Sequence, residues 1–277
     1  GKSIGLVQVQ ELGTLETPIL LTNTLSVGTV STALVEYMLE RNDDIGLDAG
    51  TVNSLVMECN DARLSDIRGL HVTKEHARAA LEAASETFAE GDVGAGAGMV
   101  CYSLKGGIGS ASRLCHLYGE TYTVGALVMT NFGTLRDLRV AGDPVGERLY
   151  RQEQSELKDK GSIIIVLATD VPLSSRQLER VAKRAQSGIA RTGGISGNGS
   201  GEIALAFTTG NKLAHYSSDR LESIRLVYEE DIDEVFRAAI ESVDEAIISS
   251  MLHASAVTGR AGNHYKSLAD LYKPGEK

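Results

Sequence analysis

The sequence contains few of the residues that cross-link a chain or hold a metal ion. Its three cysteines are odd in number, and no two of them form a Cys-x-x-Cys pair. This argues against a disulfide framework and against a zinc site. The six histidines show no His-Glu-x-x-His or other ligand spacing, so we expect no metal cofactor. Thiols that stay reduced favour a cytoplasmic location.

The chain also lacks long apolar runs and an excess of basic residues. No apolar stretch is long enough to span a bilayer. The 27 Lys and Arg residues stand against 37 Asp and Glu residues, which gives a formal net charge of -10 at pH 7. Such a charge argues against nucleic acid or an anionic membrane as a partner. With 277 residues the chain can bury a substantial core, as one large domain or two small ones.

Glycine is abundant, with 30 residues, and one glycine-rich run at 91–98 superficially resembles a phosphate-binding loop. The spacing does not fit a Gly-x-Gly-x-x-Gly motif, because Met99 stands where the last glycine should be. No Gly-Lys-Ser/Thr follows either. We therefore interpret the run as a tight turn into a strand, or as a close approach of two backbone segments.

The remaining pattern predicts a mixed α/β chain. Alternating or wholly apolar stretches predict strands at 3–10, 18–21, 52–58, 99–103, 112–116, 122–130, 162–168 and 202–208. Helical spacing predicts helices at 26–41, 73–84, 147–158, 177–190 and 231–254. The strand at 162–168 is so rich in Ile and Val that we expect both of its faces to be buried. This irregular alternation indicates an α/β or α+β fold in which helices cover a sheet.

A loop rich in glycine and asparagine at 193–201 places Ser200 directly before the strand at 202–208. Its neighbours Gly199 and Gly201 lack the Cβ that would shield the peptide bond, and they permit positive φ angles. The Gly199–Ser200 bond could therefore be held in a strained turn with its carbonyl open to attack. By composition alone, a flexible loop leading into a strand is the favoured alternative.

The segment Gly-Asn-Gly-Ser-Gly-Glu-Ile at 197–203, with Ala-Phe-Thr-Thr at 206–209, resembles the self-cleavage junction of the DmpA family. These are the L-aminopeptidase/D-esterases and β-aminopeptidases of peptidase family P1. The resemblance covers nearly the whole chain, because further segments match in the same order. They are Leu-Thr-Asn-Thr at 21–24, Glu-Cys-Asn-Asp at 58–61, the stretch 98–109, Thr-Asn-Phe-Gly at 130–133 and Ala-Thr-Asp-Val-Pro-Leu at 168–173.

The resemblance implies an αββα sandwich like that of the ornithine acetyltransferases, built from a single domain over residues 1–277. It also implies self-cleavage between Gly199 and Ser200 into an α chain, 1–199, and a β chain, 200–277. Family precursors carry an additional N-terminal segment, so we expect the sequence to begin inside the family's domain. We further expect a homo-oligomer, a tetramer or larger. Because some family members are exported, the periplasm is an alternative location.

Cleavage would give Ser200 two successive roles. Its Oγ would attack the Gly199 carbonyl to form an ester, and water would then release the two chains. A hydroxyl nucleophile needs a base, and the α-amino group freed on Ser200 could serve as one. The unperturbed pKa of an α-amino group, about 7.7–8.0, suits proton transfer near neutral pH.

Other site residues follow from the resemblance and from their positions. Asn131 is the expected oxyanion donor, although an Asn before Phe-Gly is also typical of a turn. Tyr102 is a second candidate through its phenol, or else a core tyrosine. Glu58 ends a buried-looking strand and is the expected ligand of the substrate ammonium, with Asn60 beside it; a solvated glutamate is the alternative. We interpret Cys59 as a bystander, since no histidine signature accompanies it.

Together these residues predict a self-processing serine aminopeptidase or amidohydrolase that releases N-terminal residues from short peptides, amides or esters with a free amine. No metal or organic cofactor is implied. Two alternatives stay open. One is an acyltransferase of the same fold, although the related acetyltransferases use a threonine nucleophile in a different local motif. The other is a binding scaffold without turnover, which the intact serine junction disfavours.

Overall fold

The computed structural model describes residues 1–153, 161–216 and 220–273, and strands and helices alternate along this part of the chain. Its strands are β1 Ile19–Asn23, β2 Leu55–Cys59, β3 Val100–Cys101, β4 Leu104–Lys105, β5 Ile108–Leu117, β6 Glu120–Asn131, β7 Ser162–Thr169, β8 Gly201–Thr208, β9 Val257–Thr258 and β10 His264–Tyr265. Its α-helices are α1 Leu6–Leu12, α2 Val27–Leu39, α3 Lys74–Glu82, α4 Val145–Glu153, α5 Ser175–Arg191, α6 Asp233–Leu252 and α7 Leu268–Leu271.

Four of these strands form one mixed sheet in the order β5-β6-β7-β8. The pairs β5/β6 and β6/β7 are antiparallel, whereas β7 and β8 run parallel. In this register Asn131 at the end of β6 lies opposite Ser162 at the start of β7. Ser162 in turn lies opposite Gly201 at the start of β8. The sheet therefore brings the predicted oxyanion donor and the Ser200 junction to the same edge.

Strand β7 is buried on both faces, as its sequence predicts. Ile163, Ile165 and Leu167 point into a core that they share with α5 and α6. Ile164 and Val166 point the other way, into a second core that also contains Met57 of β2. Alternate residues of one central strand thus serve two separate cores.

The small parallel sheet of β1 and β2 repeats this alternation. Leu55 and Met57 pack into the second core, against the four-stranded sheet. Val56 between them packs with Leu34 of α2 and Ala77 of α3. The layers therefore follow the order α5/α6, four-stranded sheet, β1/β2 sheet, α2/α3. This is the αββα sandwich that the resemblance implies, and the mixed α/β class is confirmed.

Helix starts agree with the sequence where polar caps mark them. Ser174 and Gln177 form a capping box at the start of α5, and Thr73 and His76 form one at α3. The helix predicted at 147–158 begins as α4, and its part beyond Glu153 lies outside the described residues.

The strand predicted at 3–10 is wrong, because this stretch contains helix α1. Gly5 and Gly13 bound the helix with left-handed φ angles of 92° and 68°. Inside it, Leu6 and Val9 pack against the second core. Their spacing of three residues places them on one helix face. In so short a stretch the alternating and helical patterns overlap, and the flanking glycines decide between them.

The glycine-rich segments let backbones approach closely, which confirms the interpretation of the run at 91–98. A Cβ on Gly96 would lie 2.7 Å from both the Gly91 carbonyl oxygen and the Ile108 nitrogen. Gly91 and Ile108 also exchange backbone hydrogen bonds of 2.7 and 2.8 Å. On β5, a Cβ on Gly109 would overlap the carbonyl oxygen of Ala246 in α6.

We expect Gly109→Ala to lower the free energy of unfolding by about 2 kcal/mol or more, because the new methyl group must push α6 off the sheet. Gly28→Ala is the matched control. Gly28 lies in α2, and a Cβ added there would have no other atom within 4 Å, so the change should be neutral or stabilise by up to about 1 kcal/mol. Urea unfolding of both variants measures the difference. Equal stability of the two variants would contradict the close approach of β5 and α6.

Candidate active site

The Ser200 junction is held by backbone hydrogen bonds on both sides. The Ser200 N–H donates to the Gly197 carbonyl over 2.8 Å, and the Gly201 N–H donates to the Gly161 carbonyl over 3.0 Å. The Ser200 Oγ is buried and has no hydrogen-bond partner among the described residues. The backbone hydrogen bonds therefore hold Ser200 directly before β8. Its hydroxyl forms no hydrogen bond with a described residue.

Backbone strain at the junction is not borne out. The left-handed φ angles described in this loop belong to Gly193, at 97°, and Ser196, at 52°. Both residues precede the Gly199–Ser200 bond. The glycines beside Ser200 therefore act by their missing Cβ, which leaves the peptide bond uncovered, and not by a left-handed turn.

A cavity of about 230 Å³ lies beside the junction. Its walls contain Glu58 and Asn60 together with Gly199 and Gly201, the two neighbours of Ser200. Ser200 itself does not line the cavity. The full lining consists of Gly1, Lys2, Thr24, Glu58, Asn60, Gly161, Ser162, Gly199, Gly201 and Ile203. The structure thus brings two of the three predicted substrate ligands, Glu58 and Asn60, next to the predicted cleavage site.

Glu58 is the buried acidic group of this cavity, with 5% of its surface exposed. Its Oε1 accepts the backbone N–H of Lys2 over 2.7 Å, and its Oε2 accepts the Thr24 hydroxyl. No cationic side chain among the described residues pairs with it. A buried carboxylate is costly unless it is paired. A site that holds one beside an open cavity is suited to bind a cation, and the solvated alternative is wrong.

Asn131 and Asn60 connect three segments at this edge of the sheet. The Asn131 Nδ2 donates to the Asn60 carbonyl, and the Asn131 Oδ1 accepts the Val100 N–H, each over 2.9 Å. Asn60 is exposed, and its Oδ1 accepts the Ala62 N–H over 3.0 Å. An amide nitrogen carries two N–H groups, and Asn60 takes one of those on Asn131. Oxyanion donation by Asn131 stays a prediction.

Tyr102 is not brought to the cavity. It is fully buried, its hydroxyl bonds the Thr192 Oγ1 over 2.8 Å, and its ring packs edge-on against Phe132 at 5.1 Å between centroids. Its φ is 49°, and Gly133 leaves room for its ring. This geometry matches the alternative interpretation drawn from the sequence, which was that Tyr102 is a core residue. Contact between Tyr102 and substrate stays a prediction.

Two residues that support the site, Thr24 and Lys105, were not predicted from the sequence. Thr24 lines the cavity, and its hydroxyl donates a hydrogen bond to Glu58. Its position in the family-like segment at 21–24 could have indicated this role. Lys105 is fully buried, and its Nζ donates to the carbonyls of Gly96, Met99 and Gly106 over 3.0, 3.1 and 2.6 Å. Burial lowers the pKa of Lys105 to about 8, against the opposing effect of nearby acidic groups. Lys105 holds the segment that presents the Val100 N–H to Asn131.

The described residues contain no group of three or more His, Cys, Asp or Glu side chains placed to hold a metal ion. Nor does any described helix combine the length and the apolar composition that a membrane span requires.

The sequence profile of peptidase family S58 matches residues 1–265. The chain belongs to peptidase family S58. The resemblance to the L-aminopeptidases and β-aminopeptidases is thereby confirmed, and the protein is a serine-type aminopeptidase of mixed α/β fold.

Two known proteins are similar to most of this chain. Beta-peptidyl aminopeptidase BapA of Sphingosinicella microcystinivorans is 39% identical in a match that covers 95% of this chain and 69% of that protein. A solved protein of Pyrococcus horikoshii OT3 has a TM-score of 0.92 and 52% identity, covering 96% of this chain and 74% of the other.

A third similar protein has a fold that is already classified. The L-aminopeptidase D-Ala-esterase/amidase of Ochrobactrum anthropi has a TM-score of 0.83 and 37% identity, covering 90% of this chain and 69% of the other. It is described as a prototype of the serine aminopeptidases and as a variant of the Ntn (N-terminal nucleophile) hydrolase fold. The present S58 peptidase shares that fold.

The cysteines of this S58 peptidase are unsuited to nucleophilic attack. All three are buried, and none is part of a disulfide bond. Burial is the largest cause that raises the pKa of Cys59 to about 12 and that of Cys115 to about 11. Because the thiolate is the reactive form, the interpretation of Cys59 as a bystander is supported.

We expect the native protein to resist thiol reagents at pH 8, because only about one Cys59 in ten thousand is a thiolate when its pKa is near 12. After unfolding in denaturant, all three cysteines of the sequence should react. A colorimetric thiol assay with and without denaturant makes the comparison. Rapid modification of one native thiol with parallel loss of peptidase activity would contradict it.

Proposed function

We propose that this S58 aminopeptidase cuts its own chain between Gly199 and Ser200 and then uses Ser200 to release N-terminal residues from short peptides, amides or esters. The placement of Ser200 carries the proposal: a buried hydroxyl without a described partner, between two glycines that line the cavity of Glu58. Relatives named as a β-peptidyl aminopeptidase and as an L-aminopeptidase with an Ntn hydrolase fold support it.

Cleavage and turnover share one chemistry. In the first step the Ser200 Oγ attacks the Gly199 carbonyl, and the peptide bond is exchanged for an ester that water hydrolyses. The products are an α chain, 1–199, and a β chain, 200–277. The β chain then begins with the free amine of Ser200, which accepts the Oγ proton when the hydroxyl attacks a substrate carbonyl. One residue thus supplies both nucleophile and base.

We assign oxyanion stabilisation to Asn131 because of its position at the end of β6. Asn131, Ser162 and Gly201 are opposite one another on three adjacent strands. Neighbouring strands are about 4.8 Å apart, so Asn131 lies two strand spacings from the start of β8. Its hydrogen bonds to Asn60 and Val100 hold the amide in place before the reaction. A donor fixed in advance stabilises a developing oxyanion without reorganisation.

Substrate selection is assigned to Glu58. Its two oxygens are oriented by the Lys2 N–H and the Thr24 hydroxyl, both neutral donors, so its negative charge is left for a ligand. A substrate with a free N-terminal ammonium fits this charge, and Asn60 adds an exposed amide at the rim. Transfer of the acyl group to water distinguishes the aminopeptidase from an acyltransferase of the same fold.

Two properties of the assembled protein stay proposals. We expect a homo-oligomer, a tetramer or larger, from the family resemblance. We expect a cytoplasmic location because none of the three cysteines is part of a disulfide bond, with the periplasm as the alternative.

We expect the purified wild-type protein to contain two chains that separate at Gly199/Ser200 under denaturing conditions without reductant. Intact-mass spectrometry measures this directly. Ser200→Ala removes the attacking oxygen and should leave one uncut chain without activity. Ser196→Ala is the matched control from the same loop, where Ser196 bonds Gln186, and it should be cut like wild type. A wild-type preparation that holds only the uncut chain would refute the proposal.

We expect N-acetylated peptides to be poor substrates. Acetylation removes the ammonium and leaves the Glu58 carboxylate unpaired, which costs about 3–5 kcal/mol when a buried pair is broken. Glu58→Gln should narrow the gap between free and acetylated peptides, whereas Glu120→Gln, an exposed site at the start of β6, should not. The comparison is made on kcat/KM. Equal hydrolysis of both peptides by the wild type would make Ser200 the nucleophile of a general amidase instead.

A further inference from the structure

Asn131, the proposed oxyanion donor, stands at one end of a series of hydrogen bonds that starts at a buried positive charge. Its Oδ1 accepts the Val100 N–H over 2.9 Å. The Val100 nitrogen belongs to the same peptide unit as the Met99 carbonyl, and that carbonyl oxygen accepts a hydrogen bond from the Lys105 Nζ over 3.1 Å. One peptide unit, 99–100, therefore contacts the ammonium with its oxygen and the Asn131 amide with its nitrogen.

This series of hydrogen bonds is shielded from solvent along its whole length. Met99 and Lys105 are fully buried, and Val100 and Asn131 are exposed by only 2% and 5%. The Met99 oxygen also accepts the Gly106 N–H over 3.0 Å, which fixes the peptide unit from a second side. Electrostatic effects are stronger in such surroundings than in water.

Lys105 carries its charge without a negative partner. No carboxylate of the described residues forms an ion pair with it, and its Nζ donates to three carbonyl oxygens instead. An ammonium has three N–H groups, so all of them are used. Burial lowers the pKa of Lys105 to about 8, while Asp92 and Cys101 oppose this shift; most molecules are therefore charged at pH 7. A buried charge is costly, and this one acts on the carbonyls that it contacts.

The ammonium polarises the series from one end. Hydrogen bonds from charged donors are stronger than neutral ones, and linked hydrogen bonds strengthen one another in a low-dielectric interior. The charge draws electrons toward the Met99 oxygen, so the Val100 N–H becomes a stronger donor to the Asn131 Oδ1. The Asn131 Nδ2 hydrogens become more positive in turn. Asn60 takes one of them, and the other is available to an oxyanion.

We propose that Lys105 is a positioning residue of the reaction, which orients and polarises Asn131 through the 99–100 peptide unit. The inference rests on the oxyanion role of Asn131 in the proposed function. Lys105 is not among the residues that line the cavity, and it neither gives nor takes a proton. Because self-cleavage and peptide hydrolysis both pass through an oxyanion, Lys105 supports both steps.

The test is a double-mutant cycle on Lys105 and Asn131, assayed at pH 7 on cut protein. Lys105→Met should lower kcat about 10-fold, less than the roughly 100- to 1,000-fold expected for Asn131→Ala, and should change KM by less than about twofold. Added to Asn131→Ala, Lys105→Met should cost less than about threefold, because the group through which it acts is gone. Lys183→Met, at an exposed site of α5, is the matched control and should keep the wild-type kcat.

Self-cleavage gives the same comparison for variants that are cut slowly, with the rate followed by intact mass on freshly synthesised chain. Thermal unfolding reports whether each variant is folded. Lys105→Gln keeps N–H donors without the charge, and it takes the place of Lys105→Met in the cycle if that variant does not fold.

Equal losses from the Lys105 change with and without the Asn131 side chain would overturn the inference, since a residue that only supports the fold gives additive losses. A wild-type kcat in Lys105→Met would overturn it as well, and so would loss of the fold in both Lys105 variants. An Asn131→Ala enzyme with the wild-type kcat would instead refute the oxyanion role of Asn131. A wild type that is never cut would refute the proposed function itself.

Discussion

The parallel pairing of β8 with β7 is the interaction on which the site depends. It sets Gly201 opposite Ser162, and thereby holds Ser200 at the sheet edge where β6 ends with Asn131. A shift of one residue would turn every side chain of β8 to the other face. Ile203 and Leu205 would leave the inter-sheet core and Glu202 would enter it. The hydrophobic pattern of β8 therefore fixes both the packing of the strand and the position of the junction.

The second sheet completes the site from the other side. Strand β2 lies face to face with β7 and carries Glu58 near its end, so a buried carboxylate faces the cavity next to the junction. Lys105 is a second buried charge in this region, and it holds the backbone that meets Asn131 through Val100. Charges in apolar surroundings are costly. Of these two, Glu58 lines the cavity beside the junction and Lys105 supports the backbone that holds Asn131.

The sequence predicted the features that depend on local pattern. The αββα layers, the doubly buried β7 and the cap of α5 by Ser174 follow from periodicity, capping or the resemblance. Helix α1 could not be separated from a strand, because seven residues are too few to distinguish the two periods. Long-range contacts were also out of reach: the bond from Thr24 to Glu58 joins residues 34 positions apart. The same is true of Tyr102, which reaches Thr192 from 90 positions away.

The central claim is that activity belongs only to the cut chain, since only cutting creates the amine of Ser200. The most direct measurement follows both quantities in one sample of uncut protein: the fraction cut, by intact mass, and the rate of release of an N-terminal residue from a peptide. We expect the two to rise together from zero, with constant activity per cut chain. Full peptidase activity while the Gly199–Ser200 bond is still intact would contradict the claim.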